Sequence, residues 1–160
     1  MQLFETRQPT MTTAAKYAIV ADDEPANLDF MVRLIQMAGF EVTGAGMCKL
    51  AISAAQSATT LTLALIDHQL PDGRGIDVIT AIRALHPEAI LVMATMHDHR
   101  ALIDEAFGAG VDIFLVKPHG FMELFRRVQE IAATGGSYNS LRRMIMDQYG
   151  PRPYRGTPKH

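Results

Sequence analysis

Hydrophobic positions alternate between two textures along the chain. Short unbroken apolar runs occur at Tyr17–Ala21, Leu61–Ile66, Ala89–Ala94 and Ile113–Val116. Runs of this length suit strands buried on both faces rather than helices. Val42–Ala45 is a weaker run, expected at a sheet edge. Between the runs, apolar residues return at helical spacing. Pro25 can open a first helix, where its missing N–H does no harm. Leu28, Met31, Ile35 and Ala38 form the inner face of that helix, and Gly39 is its stop. A second helix is predicted over about Met47–Gln56. A third covers Gly75–Leu85, with Val78, Ile79, Ile82 and Leu85 inward and His86-Pro87 closing it. A fourth spans Arg100–Phe107. A fifth, near Phe121–Ala132, carries Phe121, Leu124, Phe125, Val128 and Ile131 on one side. Five β-α repeats predict an α/β fold, a parallel sheet with helices on both faces. Such sheets hold ligands beyond the carboxyl ends of their strands.

The ends of the chain read differently. Residues 1–16 are polar and Thr-rich and are expected to be a flexible segment, followed by a domain over 17–134 and an extension over 135–160. Within the extension, Leu141, Met144, Ile145 and Tyr149 have helical spacing, which predicts a short helix ended by Gly150-Pro151. Five basic residues there face one acid, Asp147, but the stretch is too short for a helix-turn-helix domain, so no DNA partner is expected. Composition changes little in this picture. The chain is 48% hydrophobic and 20% charged, as a globular domain is, and its net charge of -2 gives no reason to expect nucleic acid or anionic membrane. No apolar run approaches the roughly 20 residues of a membrane span, and the first residues lack the apolar core of a signal peptide. The lone Cys48 cannot form an internal disulfide, which fits a reducing compartment. A cytoplasmic protein is the expectation.

The chemistry lies just after the apolar runs. Ala21 leads into Asp22 and Asp23, Ile66 into Asp67, Ala94 into Thr95, and Val116 into Lys117. In a parallel sheet these groups converge at one edge. An acid after a strand is often only a helix cap, but four such placements together are hard to explain as capping. Three close carboxylates need a shared proton or a cation, and Lys117 offsets only part of their charge. Mg²⁺ favours a site with few carboxylates, several waters and a phosphate oxygen. Asp67 then suits the role of carboxylate nucleophile toward a phosphoryl group, with Thr95 and Lys117 stabilising charge on its oxygens.

The residues Asp22-Asp23-Glu24-Pro25, Asp67-His68-Gln69-Leu70-Pro71-Asp72-Gly73-Arg74-Gly75, Thr95 and Phe114-Leu115-Val116-Lys117-Pro118 resemble the receiver domains of two-component response regulators. The likeness covers about Tyr17–Ala133 and is closest to the stand-alone, chemotaxis-receiver-like type. It implies a flavodoxin-like receiver fold, with five parallel strands in the order 2-1-3-4-5. It also implies a phosphoacceptor at Asp67. Mg²⁺ would be held by Asp23, Asp67 and the backbone carbonyl of Gln69, with Asp22 acting mostly through a metal-bound water. Lys117 would contact the carboxylate and then the phosphoryl group, and the Lys117–Pro118 peptide would be cis. Thr95 and Phe114 would carry the switch, altering the surface of the fourth helix, fifth strand and fifth helix.

Three positions depart from the common receiver pattern. Met96 stands where a very small residue is usual, and could narrow access to the site. Gln69 and His97 lie two residues after Asp67 and Thr95, where they would tune the attacking water and the phosphoryl lifetime. His68 reads as a solvent-facing loop residue. His97-Asp98-His99 reads as a solvated helix start with Asp98 as its cap, not as a metal site. The implied function is a response regulator in a phosphorelay that catalyses its own Mg²⁺-dependent phosphorylation and dephosphorylation and acts on no separate substrate. Its partners would be a sensor histidine kinase and a histidine phosphotransfer protein or other output protein, with no DNA-binding output domain. A homodimer through the fourth helix, fifth strand and fifth helix, or through the tail, stays open. The competing class, an unphosphorylated interaction module, is disfavoured by the intact acidic, hydroxyl and lysine set. An aspartyl phosphatase is set aside because Gln69 stands where those enzymes place a second acid.

Overall fold

The computed structural model describes residues 16–156. The expected flexible segment up to residue 15 lies outside the described residues. In chain order the elements are β1 (Lys16–Ala21), α1 (Pro25–Met37), β2 (Phe40–Ala45), α2 (Cys48–Ser57), β3 (Leu63–Asp67), β4 (Gln69–Leu70), β5 (Gly73–Arg74), α3 (Gly75–Leu85), β6 (Ile90–Thr95), α4 (Arg100–Ala109), β7 (Ile113–Val116), α5 (His119–Thr134), a 3₁₀ turn (Tyr138–Leu141), β8 (Met144–Asp147) and β9 (Gly150–Pro153). The main sheet runs β9-β8-β7-β6-β3-β1-β2, and β4 and β5 form a separate small hairpin. The five anticipated strands are therefore parallel and ordered β2-β1-β3-β6-β7, with β2 at an edge.

Side chains alternate across each strand, and each face of the sheet has its own core. Ile19, Ala64, Ile66, Leu91, Met93 and Phe114 pack with α2, α3 and α4. Val20, Leu63, Leu65, Val92 and Leu115 pack with α1 and α5. The helices start and stop for local reasons. Glu24 caps α1 by accepting from the N–H groups of Ala26 and Asn27, and Pro25 takes the first helical position. Gly39 (φ 94°) turns the chain out of α1. One helical position departs from expectation: Leu85 is 44% exposed, because it lies in the last turn of α3 where the chain leaves the sheet.

The tail also departs from expectation. Among the described residues, Leu141–Tyr149 forms no α-helix; after the 3₁₀ turn the chain instead extends the sheet. Arg143 adopts a left-handed conformation (φ 59°), which a helix through Leu141–Tyr149 cannot contain. Met144–Asp147 then runs parallel to β7, with Ile145 packed in one core and Met146 in the other. Gly150 (φ 93°) completes the turn into β9, and the Tyr149 N–H donates to the Asp147 carboxylate within it. Spacing alone could not separate helix from strand here, since a strand buried on both faces also reads as a short apolar run.

At the amino-terminal end of the sheet, Asp112 is nearly buried between two arginines. Its Oδ2 accepts from Arg83 (2.6 Å) and the Leu91 N–H (2.8 Å), and its Oδ1 accepts from Arg142 (2.9 Å). Arg83 also donates to the carbonyls of Pro87, Ala89 and Gly110. This network ties α3, β6, β7 and the tail together.

Candidate functional site

Asp22, Asp23, Asp67, Thr95 and Lys117 are brought together at the carboxyl end of the sheet. Asp22 is 1% exposed at the end of β1. Its Oδ1 accepts from the Glu24 N–H (2.9 Å), and its Oδ2 lies 3.0 Å from Lys117 Nζ. The ammonium also faces Asp67 Oδ1, at 3.4 Å. Lys117 thus bridges two carboxylates and sits closer to Asp22 than to Asp67. One oxygen each from Asp22, Asp23 and Asp67 lies within 4.8 Å of the others, and among the described residues no other such grouping of three ligating side chains occurs. Burial raises the Asp67 carboxyl above the usual range, Lys117 pulls it down, and Asp22 pushes it up again.

Backbone contacts hold this edge in place. His68 N–H donates to the Ala94 carbonyl and Gly75 N–H to the His68 carbonyl, which locks the turn after Asp67. Gly75 has to be glycine, because a Cβ there would lie 2.1 Å from the Asp67 carbonyl oxygen. Asp72, at the tip of the β4–β5 hairpin, caps α2 by accepting from the Cys48 and Lys49 N–H groups (2.6 and 3.0 Å). These bonds hold its carboxyl below the usual range. Across the site, Thr95 Oγ1 accepts from the His97 N–H (3.0 Å), and the Thr95 carbonyl accepts from the Lys117 N–H (2.8 Å). The Lys117–Pro118 peptide is cis.

A cavity of about 230 Å³ opens over these groups, lined by Asp23, Asp67, His68, Gln69, Thr95, Met96, His97 and Lys117. Its size suits a phosphoryl group with a hydrated ion; His68, Met96 and His97 form part of its wall, and the clustered carboxylates supply hard oxygens beside one ammonium. That donor set fits a divalent cation such as Mg²⁺. Met96 lies on the rim at 74% exposure and does not plug the opening. Phe114 is fully buried on β7, opposite Met93 on one side and Ile145 on the other.

A receiver-domain profile, described as response regulator receiver domain, matches residues 18–129. The chain belongs to the response-regulator receiver family. The receiver is 29% identical over 126 residues to the transcriptional regulatory protein CitB of Klebsiella pneumoniae, covering 76% of this chain and 53% of that protein. It is 27% identical over 108 residues to a cyclic di-GMP phosphodiesterase of Thermotoga maritima, covering 68% of this chain and 28% of the relative. The chain thus spans between about a quarter and a half of these relatives. Its fold matches a CheY-like receiver from Methanospirillum hungatei (TM-score 0.68, 24% identity, 76% of this chain and 96% of that one). It also matches a Burkholderia pseudomallei response regulator solved with a phosphorylated aspartic acid, calcium and citrate (TM-score 0.65, 22% identity, 75% and 70% covered).

Two expectations at the site need correction. Asp98 does not cap α4; His99 takes the N-cap position, and its carbonyl receives the Leu102 and Ile103 N–H groups. Asp98 falls one residue too early to reach them. His68 is not a simple solvent-facing residue: its ring meets the His97 ring edge-on at 6.4 Å, and its Nδ1 is buried without a hydrogen-bond partner. Burial, then Arg74 and His97, lower its affinity for a proton. Sequence reading also passed over Gly75 and Asp72 as supports of the site. Both stand in the Asp72-Gly73-Arg74-Gly75 stretch, where a loop acid and two glycines so close to Asp67 were the available signal.

Proposed function

We propose that the receiver takes a phosphoryl group on Asp67 from the phosphohistidine of a sensor kinase. The observation that carries this reading is the charge imbalance of the site. Three carboxylates share one lysine at the mouth of a cavity, an arrangement that a dication and a phosphoryl group would complete. An Asp67 carboxylate oxygen attacks phosphorus in line. A P–O bond forms as the P–N bond breaks, and the departing imidazole nitrogen keeps the electron pair. Asp23, Asp67 and the Gln69 carbonyl would hold Mg²⁺, with Asp22 supporting them, and the ion would neutralise charge on the phosphoryl oxygens. Lys117 moves its contact from Asp67 toward a phosphoryl oxygen while keeping Asp22. The Thr95 hydroxyl turns to donate to another.

Gln69 and His97 line the cavity where water must approach, and they tune the lifetime of the acyl phosphate together with Met96 at the rim. Thr95 carries the switch; Phe114, expected to move with it, is already fully buried. The signal leaves through onward transfer to a histidine phosphotransfer protein or by binding an output protein. The β7 edge is already occupied by β8, which disfavours a dimer built on that edge. Incubation with acetyl phosphate or a histidine kinase and Mg²⁺, followed by intact mass, tests the reading. One added phosphoryl group is expected, absent in Asp67→Asn. A chain that gains no mass with several kinases and binds no Mg²⁺ would act as an interaction module instead.

A further inference from the structure

The last two strands lie beyond the region matched by the receiver profile, and they end the sheet instead of inviting more pairing. The Tyr154 N–H donates inward to the Arg143 carbonyl (2.8 Å) and the Met144 N–H inward to the Asp112 carbonyl (2.9 Å). Pairing alternates along β9, so Pro151 and Pro153 occupy the positions that would otherwise present N–H groups outward. Proline has none to present, and the edge is closed to another strand. The hairpin is also seated closely: a Cβ on Gly120 of α5 would lie 2.5 Å from the Met146 carbonyl oxygen.

From the end of β9 the chain crosses onto α4 through Tyr154. Its ring stacks on Phe107 with centroids 3.8 Å apart and planes 8° apart. Its hydroxyl donates to Asp104 (2.7 Å). The guanidinium carbons of Arg100 and Arg143 lie 5.3 and 5.2 Å from the ring centroid. Arg100 also donates to the Arg155 carbonyl. The tail thus grips α4 along Arg100, Asp104 and Phe107, successive turns of one helix face.

We infer that the C-terminal hairpin is a strap that pins α4 through Tyr154, and that phosphorylation at Asp67 loosens it. The inference rests on the receiver reading above. For the Thr95 hydroxyl to swing toward a phosphoryl oxygen, it must leave the His97 N–H. That bond anchors the four-residue segment leading into α4. Phe114 is already inward and shares its core with Ile145 of β8, so α4 is the element left to move. The flat stack and the hydroxyl bond of Tyr154 fit α4 where it stands, and any displacement of the helix weakens both. The strap therefore favours the unphosphorylated arrangement. By linkage, its grip and the phosphoryl group must oppose each other by the same factor.

The full chain can be tested with beryllofluoride and Mg²⁺, by hydrogen exchange and calorimetry. Amides in 100–109 and 144–153 of the native chain are expected to exchange roughly tenfold faster once the site is saturated. Tyr154→Ala is expected to show that faster exchange without ligand, and to bind beryllofluoride about fivefold more tightly. Tyr154→Phe keeps the stack and should fall between. Unchanged exchange at saturation, in a chain that intact mass shows to be phosphorylated, would overturn the strap alone. Equal affinity in the native chain and both variants would do the same. Failure to take up phosphoryl or beryllofluoride would overturn the receiver reading first.

Discussion

The two ends of the same parallel sheet each hold a charge cluster, and their balance is opposite. At the amino-terminal end one carboxylate, Asp112, is shared by two arginines and a backbone N–H. Every acceptor has a donor, and nothing further is asked of the site. At the carboxyl end three carboxylates share Lys117. Burial there works against the charge on Asp67. The first cluster has the form of a structural clamp. The second is incomplete by itself, and incompleteness of that kind is what a ligand can satisfy.

The comparison can be broken most sharply at Asp67. Replacing it with Asn should abolish phosphoryl uptake, read by intact mass, while leaving the thermal midpoint equal to or above that of the native chain, because one of three repelling charges is gone. A marked loss of stability would mean that Asp67 is structural after all. The reverse behaviour is expected of Asp112→Ala. It leaves two guanidinium groups and the Leu91 N–H without their shared acceptor, and should cost about 3 kcal/mol in urea unfolding. Phosphorylation of the fraction still folded should persist.

Smaller effects sharpen the contrast. Mg²⁺ should raise the stability of the native chain by about 2.7 kcal/mol at a hundred times its dissociation constant. Calorimetric scans of Asp23→Asn and Asp112→Ala should separate the clusters, with the metal effect lost in the first and kept in the second. Gly75→Ala forces a Cβ against the Asp67 carbonyl oxygen and should cost about 2 kcal/mol. It should also slow phosphoryl uptake, since the backbone that aims Asp67 must move.

The smallest effect is expected at Asp72. Its lowered carboxyl contributes stability above the ordinary value of about 3.9, and that contribution is lost as pH falls through the depressed folded value. Asp72→Ala should therefore lower the thermal midpoint at pH 6, and the gap should close in acid. A gap that does not narrow as the pH falls below about 3.9 would assign the effect to packing.

Much of this was legible before any coordinates. The runs at Tyr17–Ala21, Ile113–Val116 and their counterparts announced buried strands. The polar residue after each run named the site, because a parallel sheet puts strand ends on one edge. The helical reading of Leu141–Tyr149 failed because a short apolar run has the same composition in a helix and in a doubly buried strand. Only β7, offering an open edge, made the strand the better answer. Asp112, Arg83 and Arg142 carried no readable signal, being 29 and 30 residues apart and unremarked in type.

The sequence by itself determined the β-α alternation, the start of the first helix at Pro25 and its stop at Gly39, and the identity of the groups at the strand ends. These follow from local conformational preference and side-chain period, which need no distant partner. The tertiary structure decided what each charge meets: that Lys117 leans toward Asp22, that Asp112 is doubly paired, that Gly75 abuts Asp67, and that Tyr154 closes the tail onto α4. Such contacts join residues far apart in the chain, and their energies depend on distances and burial that no linear pattern encodes.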